Sequence, residues 1–246
     1  MKNIYLSKSE QDIFNLIKDR NVISNDELKH LFRKKNINKI AHSLMNKGYL
    51  YNLKKGLYLI NKTPSKEPVI EDPFNIAQSL YKGYIGFSSA LKIHNLLDYE
   101  PFTIYLITSN KSKELELGQY IIKIINFGEK AYGFIKKDKY IVSTPDKTFF
   151  DCFYKPKYIG YNNIIKAIKL VGKLDWDSFL KYFEKHASSS LHQRTGYILE
   201  SHKLAPKKII NYFSKKVKNN TKLDPGLPGK GKYIKKWKLI DNTKNA

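Results

Sequence analysis

Two carboxylates one residue apart, Asp98 and Glu100, follow a Gly86-Phe87-Ser88-Ser89 stretch, and pieces of this kind can hold a metal that activates a phosphate for nucleotidyl transfer. That chemistry needs glycine beside serine and both carboxylates on one strand. Here Phe87 intervenes, and Asp98 lies just before Pro101, where a helix end and a turn are expected. Pro145-Asp146 could open a nuclease motif, but no Asp/Glu-x-Lys follows it, so a helix cap is the better reading. Gly226-Leu227-Pro228-Gly229-Lys230-Gly231 lacks both the spacing and the hydroxyl residue of a phosphate-binding loop. His30, His42, His94, His186, His192 and His202 show no ligand spacing with cysteine or carboxylates. Ser188 to Arg194 is dense in polar groups and could form a site, although a helix start fits it better. The expectation is a non-enzyme with no catalytic, cofactor or metal site.

The stretch 36–60 offers a different chemistry, recognition by hydrogen bonding. Ile37, Ile40, Ala41 and Leu44 recur at helical spacing and predict a buried face. Asn38, Lys39, His42, Ser43 and Asn46 occupy the other face, with no acidic residue among them. Asparagine amides match adenine edges in a DNA major groove, and lysine or histidine can reach purine acceptors. Gly48 ends the helix, and strands over 49–53 and 57–60 flank Lys54-Lys55-Gly56, a turn with two lysines at its tip. The predicted DNA-binding set is Lys34, Lys35, Asn36, Asn38, Lys39, His42, Ser43, Asn46, Lys47, Lys54 and Lys55. Within it Lys34, Lys35, Lys47, Lys54 and Lys55 would touch phosphates, which fix register without reading sequence.

Other elements must position that helix. Ser9 before Ile13, Phe14, Leu16 and Ile17 predicts a first helix reaching about residue 20, and Ser24-Asn25-Asp26-Glu27 is a capping box that opens a second, ending near 33. Helix, helix, turn, helix and hairpin is the order of a winged helix-turn-helix domain, here spanning 1–62. Thr63 to Pro68 reads as a linker, taken as 63–71. Residues 72–246 then read as a larger mixed α+β domain, so the fold class is α+β. Its predicted helices cover 74–81, 87–97, 145–154, 161–171, 177–186, 190–200 and 206–216. Its predicted strands cover 103–108, 120–127, 132–135 and 140–142, and a closing loop and strand occupy 223–240.

Charge points to the partner. The net charge of +23 divides as +8 over 1–62, +4 over 63–200 and +11 over 201–246, so the excess sits at the two ends and suits a polyanion. Lysine supplies 42 of the 45 basic residues, a bias that an AT-rich genome would also produce. Cys152 is alone, no apolar run reaches the ~18 residues of a membrane span, and the N-terminus lacks a signal-peptide pattern. A cytoplasmic protein without membrane contact is expected.

Four segments together resemble the AbiEi-type antitoxins of abortive-infection systems, also described as predicted transcriptional regulators of viral defence. They are Leu50 to Tyr58, Tyr84 to Leu91, Ser143 to Asp151, and Leu223-Asp224-Pro225 with Trp237. The resemblance implies a winged helix that represses the protein's own operon by binding its operator, and a C-terminal domain needed for antitoxin activity. It also implies a functional link to a nucleotidyltransferase-type toxin encoded alongside, usually neutralised without stable binding. Ser88, Ser89, Asp146, Lys147 and Asp151 fall in these segments as either a functional surface or a structural signature. The competing expectation is a nuclease or nucleotidyltransferase targeted by the winged helix, and a third is a scaffold whose basic tail docks on RNA.

Overall fold

The computed structural model describes residues 5–32 and 36–243. Helices and strands are mixed throughout, so the class is α+β. The chain forms two compact units: one holds residues up to Ile85 with Phe102–Ala131 and Lys136–Ile141, the other Gly86–Pro101, Tyr132–Ile135 and everything from Val142 onward.

The first unit begins with α1 (Lys8–Ile17), β1 (Val22–Ser24), α2 (Asn25–Phe32), α3 (Ile37–Asn46), β2 (Leu50–Lys54) and β3 (Leu57–Ile60). Helix α1 is capped by Ser7 and Glu10 in a reciprocal box, two residues before the expected cap at Ser9. The box at Ser24 and Glu27 forms as its spacing predicts: the Ser24 amide donates to Glu27 at 2.8 Å, and the Glu27 amide to Ser24 Oγ at 3.1 Å. Ile13, Phe14, Ile17, Ile23, Leu28, Ile37, Ala41, Leu44, Leu50 and Ile60 close around one another as a core of this segment's own. The expected two-stranded hairpin is in fact a three-stranded sheet, β1-β3-β2, with Ile23 opposite Tyr58. Three residues are too few to show an alternating pattern, which is why β1 is not visible in the sequence.

Gly48 adopts φ +83°, and a Cβ there would lie 2.7 Å from the Ser65 backbone nitrogen. That close approach ties down the stretch read as a linker. The Ser65 amide donates to Gly48 O at 3.0 Å, while the fully buried Asn61 bonds to the carbonyls of Gly48, Ser65 and Glu67 and to the amide of Val69.

The same unit continues with α4 (Pro73–Leu80), capped by Asp72, then β4 (Tyr84–Ile85), β5 (Thr103–Thr108), β6 (Lys113–Leu117) and β7 (Tyr120–Asn126). With β8 (Phe134–Lys137) and β9 (Tyr140–Ser143) these strands make a six-stranded sheet ordered β6-β7-β5-β4-β9-β8. Strands β5 and β7 run parallel, with Ile104 opposite Ile122 and Leu106 opposite Ile124. The nearly continuous burial of β5 fits an interior position. Strand β6, Lys-Glu-Leu-Glu-Leu, was not expected, because alternating charge hides it; such charge suits a sheet edge, which must not recruit further strands.

The second unit contains α5 (Phe87–Ile93), α6 (Pro145–Tyr154), α7 (Tyr161–Leu170), α8 (Trp176–His186), α9 (Ser189–Ser201) and α10 (Lys207–Ser214). A small sheet, β10-β12-β11, follows from β10 (Thr221–Lys222), β11 (Lys232–Ile234) and β12 (Leu239–Asp241). Helix α5 stops at Ile93 rather than running to 97, and Asn95 takes a left-handed φ of 59° just beyond it. Phe150, Phe153, Phe179, Phe183 and Phe213 pack edge-on or tilted at the centre of this unit, with ring centroids 4.8–6.4 Å apart. No helix among the described residues is long and apolar enough to cross a membrane.

Candidate functional site

Helix α3 buries Ile37, Ala41 and Leu44 and exposes Asn36, Asn38, Lys39, His42 and Asn46. Asn38, His42 and Asn46 follow one another every four residues, so they form a single stripe up the helix, with Lys39 beside it. The Asn46 amide nitrogen lies 3.1 Å from Nδ1 of His42. In the tautomer that accepts this bond, Nε2–H remains a donor for an outside acceptor. The exposed face carries no carboxylate, so an electronegative partner meets donors without repulsion.

Glu10, which was not anticipated as a site residue, decides which polar residues belong to that face. It is almost fully buried and accepts Ser43 Oγ at 2.5 Å and Lys47 Nζ at 2.6 Å. Lys47 also reaches the Tyr5 carbonyl at 2.9 Å. Burial works against the charge on Glu10, but hydrogen bonds from Lys47, Ser43 and Ser7 outweigh it and hold the carboxyl down at about 2. Ser43 and Lys47 therefore fasten α3 to α1. A lone glutamate three residues after serine signals a cap, and nothing local shows that its second oxygen will receive a side chain more than thirty residues away.

The hairpin turn divides its two lysines. Lys54 Nζ donates to the Leu80 carbonyl at 2.6 Å and lies 5.8 Å from the Tyr81 ring centre, so its tip is engaged although the residue is exposed. Lys55 is exposed at the tip, beside Gly56 with φ +75°. Lys34 and Lys35 lie outside the described residues.

The other motif residues do not assemble into a reaction centre. Ser88 and Ser89 are buried at the start of α5, whereas Asp98 and Glu100 are exposed and Glu100 pairs with Lys92 at 2.6 Å. Pro145 does open α6, with Thr144 as its cap. Lys147 and Asp151, one turn apart on α6, form a fully buried ion pair among the rings of Phe150, Tyr182 and Tyr132, whose centres lie 5.5, 5.7 and 6.0 Å from the ammonium. Burial pulls the Lys147 ammonium below its ordinary range, and the Asp151 charge opposes that shift. Burial likewise raises the Asp146 carboxyl. A pair with no path to solvent reads as a structural signature of α6. Among the described residues, no group of three or more His, Cys, Asp or Glu side chains is arranged to hold a metal ion.

Comparison with known proteins finds the fold and no family. No family model matches the chain, and neither does any curated protein. The chain is similar to the crystal structure of the RV2827C protein from Mycobacterium tuberculosis, with a TM-score of 0.70 and 16% identity over 95% of this chain and 91% of that one. At that identity the likeness is one of fold alone.

Proposed function

We propose that the protein is a sequence-specific transcriptional regulator that binds double-stranded DNA through an N-terminal winged helix-turn-helix domain, with α3 as its recognition helix. The observation that carries this reading is the acid-free stripe of Asn38, Lys39, His42 and Asn46 on a helix whose opposite face is locked into its own small core. Helices α2 and α3 supply the helix-turn-helix, and the β1-β3-β2 sheet supplies the wing. Ten residues rise ~15 Å, enough to lie in a major groove ~12 Å wide. Asn38 and Asn46 would read adenine edges, Lys39 and His42 purine acceptors, and Lys55 a phosphate. The resemblance of the four segments extends the reading to a cytoplasmic, autorepressing antitoxin of a type IV, AbiE-like toxin–antitoxin or viral-defence locus. In that reading residues 72–246 form the domain that opposes a nucleotidyltransferase-type toxin.

Fluorescence anisotropy with DNA from upstream of the protein's own gene tests the claim. Affinity for that DNA should exceed affinity for a scrambled duplex, and Asn38→Ala and His42→Ala should each cost about 1–3 kcal/mol on the operator while leaving the scrambled duplex unaffected. Equal affinity for both duplexes would refute sequence specificity. Co-expression with a neighbouring nucleotidyltransferase, if growth is not rescued, would remove the antitoxin extension and leave the DNA reading standing.

A further inference from the structure

The second unit contains a cavity of about 1070 Å³ between the end of α6, the start of α7, α9 and the segment after β10. Pockets that hold small organic ligands span roughly 300–1,000 Å³, so this one has the room. Ile159, Ile165, Ile198 and Leu223 give it apolar wall, and Tyr161 and Tyr197 line it as well. Burial pushes both phenols upward, so each hydroxyl stays a neutral donor: Tyr161 to the Leu223 carbonyl at 3.2 Å, Tyr197 to Asp241 at 2.6 Å.

Arg194 is a half-buried cation in the lining of this cavity that is held by neutral acceptors. Its Nε donates to the Lys222 carbonyl at 2.8 Å and its Nη2 to Thr221 Oγ1 at 3.2 Å, both neutral acceptors. No carboxylate lies within ion-pair distance of it among the described residues. The two carboxylates in the same wall have partners of their own. Asp224 accepts the Gly226 amide at 2.8 Å, and Asp241 accepts Tyr197 on one oxygen and Thr243 on the other. Lys155, half-buried, and Lys157, exposed, add two further cations to the lining. In a chain where lysine fills 42 of 45 basic positions, a guanidinium held by neutral partners through Nε and Nη2 keeps Nη1 for an anion.

We propose that this cavity binds a nucleoside phosphate, with Arg194 and Lys157 taking the phosphates and the tyrosine-lined apolar wall taking the base. This site is separate from α3 and does not depend on the DNA-binding reading. The experiment is calorimetric titration of the full-length protein with ADP, adenosine and inorganic phosphate. ADP should bind saturably, with adenosine and phosphate each at least ~100-fold weaker, because neither engages both walls. Arg194→Lys should weaken ADP at least ~10-fold and Lys157→Ala about 3-fold, while Lys230→Ala, outside the cavity, should change nothing. Because Arg194 also holds β10, Lys157→Ala and Lys230→Ala decide the matter should Arg194→Lys unfold. Absence of saturable ADP binding, phosphate binding as tight as ADP, or an equal effect of Lys230→Ala and Lys157→Ala would overturn the proposal.

Discussion

At the scale of single residues, Glu10 shapes the polar face of α3 without belonging to it. By accepting Ser43 and Lys47 it sorts the polar residues of α3 into those that hold the helix and those left exposed. Its carboxyl is held at about 2, well under the 4.5 of an unperturbed glutamate. A depressed carboxylate contributes stability that is complete above the unfolded value and is lost as the pH falls through the folded one. The contribution, on the order of 3 kcal/mol, should therefore fade between about pH 5 and pH 2. Glu10→Gln should lower the protection of α1 and α3 amides at pH 7 by about 1–3 kcal/mol in hydrogen exchange. The gap from wild type should narrow as the pH approaches 2. A gap of equal size at both ends would place the effect outside this carboxylate. The sequence points to Ser9 as the cap; that Ser7 caps α1 instead, and that Glu10 finds partners across the core, is visible only once α1 and α3 are packed.

At the scale of elements, glycines mark places where backbone or ring must come close. Gly196 lies within α9, where alanine has the better helix propensity by about 1 kcal/mol. A Cβ there would strike the ring of Trp237, and it would stand 2.7 Å from Phe213 Cβ. Trp237 is fully buried and its indole donates to Glu200 at 2.7 Å, so the ring has little room to yield. Gly196→Ala should thus destabilise by about 1–3 kcal/mol, read as a lower urea midpoint with an altered tryptophan emission. A gain in stability would mean that propensity outweighs packing at this position. The helices of this unit are legible from their periodicity and caps, Thr144 before Pro145 and Ser188 before α9 among them. Strands β1, β4 and β6 are not, since two of them are shorter than any pattern and the third alternates charges on an edge.

For the whole molecule, the net charge of +23 gives attraction to a polyanion without stating which lysines make contact. The fold treats these lysines unevenly: Lys39, Lys54 and Lys55 are exposed, Lys54 with its tip held by the Leu80 carbonyl, while Lys47 is tied to Glu10. Each phosphate contact adds about 0.9 to the slope of log affinity against log salt. Lys55→Ala should therefore lower that slope by about one and weaken operator and scrambled DNA alike. Lys54→Ala should leave the slope nearly unchanged. A full unit lost on Lys54→Ala would show that this side chain leaves Leu80 when DNA binds. The sequence by itself determined the α+β class, most helices, the caps at Ser24 and Thr144 and the polar face of α3, because these depend on contacts a few residues apart. Only the tertiary structure decided that β1 completes a three-stranded sheet, that Ser43 and Lys47 turn to Glu10 and Lys54 to the Leu80 carbonyl, that Lys147 and Asp151 are sealed in a core, and that Arg194 lines a cavity. Each of those depends on groups distant in the chain, and their meeting is set by packing, which no local pattern records.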